Sequence, residues 1–308
     1  MSYWSKIMVY LHNPVIFRNV LLVHLGHWIP DKQYIKLKWQ NNMDYPLDID
    51  NPKTFNEKLN WLKLYDHRPV YTRMVDKYEA KKYVADIIGE EYIIPTLGVW
   101  DSPDKIDWDA LPSQFVLKAT HDSGGLVICK DKSKLDKKMA MKRLSKCLKY
   151  DYYKASREWP YKNVPRRIIA EQYMEDTNTK ELRDYKFFCM DGVCKAMFIA
   201  KDRQNKAEPY FDFFDTDFRH LDIQQGHPNA PEPPAKPDTF EEMKRMAEKL
   251  TKGIPEARID FYEVNGKAYF GEVTFFHFGG MTPFHPQSVD REWGEWITLP
   301  DQMGGVSI

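Results

Sequence analysis

The chain turns back on itself within the stretch RIDFYEVNGKAYFGEVT, residues 258–274. An Asn-Gly pair between alternating apolar runs is a strong signal for a β-hairpin. The stretch therefore predicts two antiparallel strands that meet at Asn265-Gly266. Asp260 and Glu272 then lie on opposite arms of one hairpin, where two carboxylates can hold a divalent cation.

The type of turn decides whether both carboxylates face the same side of the hairpin. A two-residue turn pairs 264 with 267 and 260 with 271, and side-chain alternation then points Glu272 away from Asp260. A three-residue turn with Gly266 in the left-handed conformation places 260, 272 and 274 on one face. A metal site therefore predicts the three-residue turn. A hairpin with two solvated acids is the alternative.

The length and the charge balance of the chain limit the classes of protein to which it can belong. At 308 residues the chain exceeds the usual size of one simple domain, so we expect two or three lobes. Lys and Arg number 45, and Asp and Glu also number 45, so composition gives no reason to expect a nucleic-acid partner. The four cysteines form no CxxC pair, which favours reduced thiols in a cytosolic protein.

The N-terminal segment is apolar but interrupted. The run Val15 to Leu25 contains Arg18, Asn19 and His24, which makes it too polar for a membrane span of about 20 residues. No signal peptide is expected. A helical cap on the next lobe is the favoured interpretation. The alternative is an interfacial helix at the inner face of the membrane, with three aromatic side chains toward lipid: Trp4, Tyr10 and Trp28.

A glycine-rich turn follows a strand in the middle of the chain. Phe115 to Ala119 predicts a strand that contains Lys118, and Leu126 to Cys129 predicts the returning strand. A cation in a mostly buried strand needs a counterion. The glycines at 124 and 125 let backbone N–H groups approach phosphate oxygens. A phosphate site is one interpretation, and an ordinary hairpin with a snorkelling lysine is the other.

Further segments set the order of elements. Thr54 followed by Glu57 predicts a helix capping box, and Tyr71 to Ile88 predicts one amphipathic helix. Ser133 to Lys149 predicts a Lys-rich helix whose charges are most simply a solvated face. Arg167 to Met174 predicts an edge strand that carries Glu171.

A second hairpin is predicted over Asp184 to Ala200, with a turn at Asp191-Gly192. Asp184 and Lys186 share one face of its first strand, where they can reach a ribose or phosphate or form a simple ion pair. Strands and helices alternate without a regular βαβ rhythm. The order therefore favours an α+β fold with antiparallel sheets and helices on one face.

Taken in order, these motifs resemble the ATP-grasp superfamily. Arg258-Ile259-Asp260, Glu272 and Gly280-Met281-Thr282 resemble the C-terminal part of a D-alanine–D-alanine ligase. Three segments resemble the TupA-like ATP-grasp family, which is associated with teichuronopeptide and other bacterial surface-polysaccharide gene clusters. They are NPKTFNEKL at 51–59, the stretch 76–95, and DYKF at 184–187.

The resemblance implies an ATP-grasp fold in which ATP lies between two antiparallel sheets. It implies an N-terminal helical region (1–72), a pre-grasp segment with the N-terminal lobe (73–174), and a C-terminal lobe with the metal site (175–308). Lysines and the glycine loop would contact phosphates, Glu171 and the backbone near Met174 would contact adenine, and Asp184 would contact ribose. The implied ATP-binding residues are Lys77, Lys118, Ser123, Gly124, Gly125, Glu171, Met174, Asp184 and Lys186.

The resemblance also implies a magnesium site. Asp260 and Glu272 would hold Mg²⁺ bridging the phosphates, since magnesium takes oxygen ligands and usually one or two protein carboxylates. Arg258 would stabilise the transferring phosphoryl group or the tetrahedral intermediate. Thr274 stands where many ATP-grasp relatives have Asn, so one implied metal ligand is changed and the number of ions is left open.

These expectations favour an ATP- and magnesium-dependent carboxylate–amine ligase that acts through an acyl phosphate. From the family context, it would join an amino acid or other amine to a uronic-acid carboxylate of a surface glycan or its precursor. One alternative is a glycosyltransferase, since DxD spacings occur at 48–50, 107–109 and 215–217. A non-catalytic nucleotide-binding scaffold and a phosphotransferase are the others. The sequence names neither the acceptor nor the amine, and it does not give the oligomeric state.

Overall fold

The computed structural model describes residues 13–122, 125–177, 182–201 and 208–301, which form an α+β structure. The α-helices are α1 (Pro14–Leu25), α2 (Asp31–Asn42), α3 (Phe55–Tyr65), α4 (Val70–Val75), α5 (Glu79–Ile88), α6 (Lys137–Lys149), α7 (Tyr152–Ser156), α8 (Phe240–Leu250) and α9 (Ser288–Trp296). Short 3₁₀ helices span Gly26–Trp28, Glu90–Tyr92, Pro103–Lys105, Lys132–Lys134, Trp159–Asn163 and His277–Gly280. The strands are β1 (Thr96–Trp100), β2 (Phe115–Ala119), β3 (Leu126–Cys129), β4 (Ile168–Gln172), β5 (Asp184–Met190), β6 (Val193–Lys201), β7 (Tyr210–Phe214), β8 (His220–Leu221), β9 (Gln224–Gln225), β10 (Ala257–Val264), β11 (Lys267–Thr274) and β12 (Phe284–His285).

The smaller main sheet has four antiparallel strands in the order β1-β4-β2-β3. β4 therefore lies inside the sheet, and the prediction of an edge strand at 167–174 is wrong. The reason is β1, which the sequence pattern did not predict and which covers the outer side of β4. The sheet packs on α6 around its own apolar cluster of Ile106, Leu111, Phe115, Leu117, Cys129, Leu144, Ile168 and Ala170.

The larger sheet has six strands in the order β11-β10-β5-β6-β7-β8. All seven residues of β5 are buried, because helices cover both faces of the sheet. Phe187 packs against Phe240 of α8 at a ring distance of 5.8 Å. Its neighbour Phe188 points the other way and contacts Phe55 of α3 and Trp293 of α9, at 6.0 and 5.0 Å. A third, two-stranded sheet pairs β9 with β12.

Helix α3 begins with the predicted capping box. The Thr54 side chain accepts a hydrogen bond from the backbone N–H of Glu57, and the Glu57 carboxylate accepts one from the N–H of Thr54. This prediction is confirmed. Because the box fixes the first turn, the helix enters the core with Phe55 and Leu59 fully buried.

The single helix predicted over 71–88 is instead two helices, α4 and α5, with a break at Asp76-Lys77-Tyr78. Asp76 accepts from the N–H of Tyr78 and pairs with Arg167 at 2.6 Å. The Lys77 N–H leaves the helix and donates to the Thr120 carbonyl at 3.1 Å. A side chain that bonds its own backbone competes with helical hydrogen bonding, which explains the break.

The hairpin of β10 and β11 closes with a two-residue turn, not the three-residue turn that was predicted. Asn265 and Gly266 both have positive φ, and Val264 pairs with Lys267. A bulge at Gly271 then shifts the register, so that Asp260 lies directly opposite Glu272. The bulge moves the carboxylates to the same face, as the metal hypothesis requires, by a different route.

The N-terminal helices α1 and α2 pack on each other through Asn19, which bonds Asn41 and Asn42. Trp28, named in the interfacial-helix alternative, is 87% exposed, while Trp4 and Tyr10 lie outside the described residues. Among the helices that the structure describes, none has the length and apolar character to cross a bilayer.

Replacing Gly294 by alanine is expected to destabilise the fold by about 2–3 kcal/mol, because the new methyl group has nowhere to go. A Cβ on Gly294 would lie 2.1 Å from the Lys53 carbonyl oxygen and 2.9 Å from the Phe55 nitrogen, so backbone must move. Chemical denaturation measures the loss. Gly266→Ala is the control: its Cβ meets nothing within 4 Å, and only its positive φ opposes the change. Equal losses in the two variants would contradict the packing argument.

Candidate active site

A cleft of about 230 Å³ lies between the four-stranded and six-stranded sheets. It is lined by residues from β2, β4 and β5 and by the loops that follow β2 and β4. Seven residues predicted to form the site line it: Lys77, Lys118, Gly125, Glu171, Met174, Asp184 and Glu272. Ser123 and Gly124, also predicted, lie outside the described residues.

On the wall formed by the smaller sheet, Glu171 is held between two lysines. Its carboxylate is 2.6 Å from Lys118 and 2.6 Å from Lys81. Burial alone would raise the pKa of Glu171, but Lys118 and then Lys81 outweigh it and hold the pKa at about 2. The carboxylate is therefore ionised and fixes both ammonium groups at the cleft. Its predicted adenine contact stays a prediction.

Lys81 was missed by the sequence reasoning. It lies on α5, four residues after Lys77, and it also donates to the Ile94 carbonyl. A lysine on an amphipathic helix normally indicates a solvated face, so the pattern gave no signal for a buried pairing. The only hint was its place in the family-like stretch 76–95.

Lys77 links the glycine turn to the opposite sheet. Its ammonium donates to the Asp122 carbonyl at 2.6 Å and lies 3.9 Å from Glu272. The Asp122 side chain in turn accepts from the N–H of Gly125 at 3.0 Å. A side chain at Gly125 would force Cys147 to move, since its Cβ would lie 2.8 Å from the Cys147 sulfur. The turn therefore presents backbone, and not side chain, to the cleft at this residue.

Behind the cleft, the larger sheet carries a buried ionic network. Arg258 donates through Nε and Nη2 to the two oxygens of Asp260, at 2.7 and 2.8 Å. Lys186 pairs with Asp260 and lies 3.0 Å from Asp184. Burial lowers the pKa of Arg258, but Asp260 and Glu272 outweigh it and raise the pKa, so the guanidinium stays charged. This two-bond geometry is the strong form of an Arg–carboxylate pair.

The residues predicted to hold magnesium share one face of the hairpin. Asp260 pairs with Glu272 and Arg258 pairs with Thr274 across β10 and β11. The Glu272 side chain is 37% exposed and lines the cleft, whereas Asp260 is fully buried. Two carboxylates and a hydroxyl fit the oxygen chemistry of magnesium. Within the described ranges, no group of three or more His, Cys, Asp or Glu residues could hold a metal.

Arg258 is also connected to the turn that follows β11. Its Nη1 contacts Nδ1 of His277, and its Nη2 donates to the Thr274 hydroxyl at 3.0 Å. Burial and then Arg258 lower the pKa of His277 well below its usual range, which favours a neutral imidazole that accepts from the guanidinium. His277 therefore positions Arg258.

Helix α3 holds the following turn through side chains that the sequence reasoning did not assign to the site. Lys63 donates to the Gly279 carbonyl, and Asn60 donates to the Gly280 carbonyl at 2.7 Å. Asn56 donates to the Thr282 carbonyl at 3.2 Å. These three residues recur at helical spacing on a face that is otherwise apolar and buried, and that pattern is the signal that could have found them.

Comparison with known proteins places the chain in a family. The family model described as TupA-like ATPgrasp matches residues 57–298. A search of curated proteins finds no match.

Among solved structures, the D-alanine–D-alanine ligase from Bacillus anthracis is 16% identical, with 72% of this chain and 59% of that chain covered and a TM-score of 0.39. The D-alanine–D-alanine ligase from Helicobacter pylori is 13% identical, with 79% and 69% covered and a TM-score of 0.41. A biotin carboxylase complex with β,γ-ATP from Campylobacter jejuni is 16% identical, with 74% and 48% covered and a TM-score of 0.41.

The chain thus spans 59% of the length of the Bacillus anthracis ligase, and these distant likenesses transfer no activity to it. The family model covers most of the chain. The structure has two antiparallel main sheets with a lysine-lined cleft between them. The family match confirms the predicted ATP-grasp fold. The chain belongs to the TupA-like ATP-grasp family.

Proposed function

We propose that the protein is an ATP- and magnesium-dependent carboxylate–amine ligase that acts through an acyl phosphate. The observation that carries this proposal is that a cation lines one wall of the cleft and a carboxylate lines the other. Lys118 lines the cleft from the smaller sheet, where it shares the carboxylate of Glu171 with Lys81 of α5, and Glu272 lines it from the larger sheet, 3.7 Å from Arg258. A triphosphate fits such a cleft, since its charge needs cations on one side and a metal-binding carboxylate on the other.

In the first step, an oxygen of the substrate carboxylate attacks the γ-phosphorus of ATP. The bond from that phosphorus to the bridging oxygen breaks, and ADP leaves with the electron pair. Lys77, Lys81 and Lys118 stabilise the phosphate oxygens, and Arg258 stabilises the charge on the transferring group. Glu171 holds two of these lysines in place before the nucleotide binds, so little reorganisation is needed.

Magnesium, when bound, would offset the negative charge of the phosphates, and Glu272, Asp260 and Thr274 are the residues that would hold it. Glu272 is the ligand that the cleft already exposes. Asp260 accepts hydrogen bonds from Arg258 and Lys186, which orient its carboxylate and offset part of the rise in its pKa that burial causes.

In the second step, a neutral amine attacks the carbonyl carbon of the acyl phosphate. The tetrahedral intermediate collapses, inorganic phosphate leaves, and the nitrogen loses a proton to give an amide. Arg258 can stabilise the oxyanion of this intermediate. His277 holds the guanidinium from behind, so the two roles of Arg258 need no large movement.

From the family context, we propose that the carboxylate belongs to a uronic acid of a bacterial surface polysaccharide or its precursor, and that the amine is an amino acid or related compound. Because ATP is required, we propose a cytoplasmic reaction, with precursors reached at the inner face of the membrane. ADP release should be measured with galacturonate or glucuronate against a panel of amino acids. Product that carries one new amide per ADP supports the ligase, and ATP binding without ADP release from any pair contradicts it.

A non-catalytic nucleotide-binding scaffold is the second candidate. It is favoured by Asp260, whose oxygens are already engaged by Arg258 and Lys186, and by Thr274 in place of Asn. It predicts ATP binding with no turnover. No such observation favours a glycosyltransferase: Asp107 and Asp215 of the DxD spacings bond backbone N–H groups of their own turns.

Replacing Glu272 by glutamine is expected to weaken ATP binding about tenfold or more in the presence of magnesium, and much less in its absence. The amide keeps the shape of the side chain but removes the charge that would hold the ion. Calorimetric titration with a non-hydrolysable ATP analogue, with and without magnesium, measures both affinities. Glu292→Gln, an exposed glutamate on α9, is the charge-matched control. An unchanged magnesium-dependent affinity in Glu272→Gln would rule out the metal assignment.

A further inference from the structure

Positive charge is concentrated in one segment of this neutral chain. Residues 130–154 contain ten Lys and Arg and three Asp and Glu, whereas the whole chain has 45 of each. Helix α6 lies within this segment, and its buried residues, Ala140 and Leu144, attach it to the smaller sheet. Its opposite side is exposed and basic, so the charge forms a local patch and is not a property of the whole protein.

Part of this patch lines an open groove of about 550 Å³. Arg143, Lys146 and Lys149 provide three cations, and none of them makes an ion pair within the part of the chain that the structure describes. The nearby Asp151 is instead paired with Lys154 and Arg166, at 3.7 and 3.2 Å. Three unneutralised cations in a concave surface attract a ligand with several negative charges.

The groove continues into the candidate active site. Asp122 lines both the groove and the cleft. Two tyrosines, Tyr150 and Tyr152, line the groove, and Tyr152 packs against Tyr161 at a ring distance of 4.5 Å. Tyr161 in turn packs against the apolar core of the larger sheet. Aromatic rings therefore connect the groove with the core of the larger sheet.

We propose that this groove, formed by Arg143, Lys146, Lys149, Tyr150 and Tyr152, binds the carboxylates of an acidic glycan chain beyond the sugar that reacts. This inference rests on the proposed function and adds that the acceptor is a polymer or oligomer of uronic acids. Sugar rings can pack on the tyrosine faces while the carboxylates meet the cations.

The geometry favours a glycan over other polyanions. Arg143, Lys146 and Lys149 follow each other at three-residue steps, about 4.5 Å apart along the helix axis, which suits one carboxylate for each sugar ring. The groove is concave, whereas an anionic membrane presents a flat surface. Duplex nucleic acid would need a longer basic track than the three cations that line this groove.

The test is direct binding of a fluorescent oligogalacturonate to the full chain without ATP, measured by anisotropy. The triple variant Arg143→Ala, Lys146→Ala, Lys149→Ala is expected to bind at least about tenfold more weakly than wild type, since it loses three charge contacts. The control triple variant Lys134→Ala, Lys138→Ala, Lys142→Ala removes the same charge from exposed positions of the same segment that do not line the groove. It is expected to bind within about twofold of wild type, because exposed charges outside the site contribute little.

Three results would overturn the proposal: no binding by wild type, equal weakening in both triple variants, or tighter binding of an RNA homopolymer or of phosphatidylglycerol vesicles than of the glycan. Dextran, a neutral glycan, should not compete. The proposed ligase reaction is tested separately by ADP release from wild type. Groove-dependent glycan binding without ADP release supports the groove and contradicts the ligase. ADP release together with glycan binding that does not depend on the groove supports the ligase and contradicts the groove.

Discussion

Replacing Arg258 by lysine is expected to slow ADP release by a factor of about 10²–10³ at saturating ATP. The guanidinium makes two bonds to Asp260, one to Thr274 and one contact to His277, and the compact ammonium of a lysine cannot reproduce this planar fork. The charge is kept, so the change tests the positioned fork and not the charge alone. Single-turnover kinetics with the best acceptor and amine measure the effect.

The affinity for ATP separates catalysis from folding in this experiment. Since Lys77, Lys81 and Lys118 are unchanged, the Arg258→Lys variant should still bind ATP within about tenfold of wild type. Arg68→Lys is the matched control, because Arg68 also pairs with a carboxylate, Asp66, and does not line the cleft. It should leave turnover unchanged. Wild-type turnover in Arg258→Lys would remove this residue from the mechanism.

The hairpin of β10 and β11 shows how much of a local structure a sequence pattern can predict. Asn265-Gly266 correctly located the turn, and the structure places Asp260 and Glu272 on one face, which is the arrangement that the metal hypothesis requires. The bulge at Gly271 was not predicted, because alternation assigns faces only when the register is continuous. A glycine inside a strand was the available signal. A Cβ there would lie 3.0 Å from the Asp260 carbonyl oxygen, which explains why a small residue suits the position.

The two lysines that pair with Glu171 were only partly predictable from the sequence. Lys118 was assigned from a buried cation in an apolar strand that needs a counterion, and the structure supplies Glu171 as that counterion where the sequence reasoning had named a phosphate. Lys81 pairs with the same carboxylate from a helix that is distant in sequence, and only tertiary packing brings the two together. Pairings of this kind have no periodic signature, since they depend on how a helix is rotated against a sheet.

The contribution of α3 was hidden for another reason. Capping and amphipathic patterns identified the helix but gave its polar residues no role. Asn56, Asn60 and Lys63 are buried because carbonyls of the 279–282 turn accept their hydrogen bonds. Those carbonyls lie more than 200 residues away in the chain. Buried polar side chains predict that partners exist, but the sequence does not say which.

Replacing Glu171 by glutamine is expected to lower the free energy of unfolding by about 3 kcal/mol near neutral pH. The amide leaves Lys81 and Lys118 beside each other without their shared counterion, and both side chains are mostly buried. The pKa of Glu171 is held at about 2, below its unfolded value, so its contribution is fully present above about pH 4.5. The difference between wild type and variant should therefore shrink as the pH falls from about 4.5 toward 2. Urea unfolding across this range measures it.

A second buried glutamate provides a control of opposite sign. Glu256 is 2% exposed, and within the described residues neither carboxylate oxygen has a hydrogen-bond partner. Burial raises its pKa well above the usual range, so Glu256→Gln should leave stability unchanged or increase it. ATP should stabilise Glu171→Gln more than wild type, because the phosphates replace the missing counterion of the lysines. Equal losses in both variants, or no added stabilisation by ATP, would mean that Glu171 does not hold these lysines for the nucleotide.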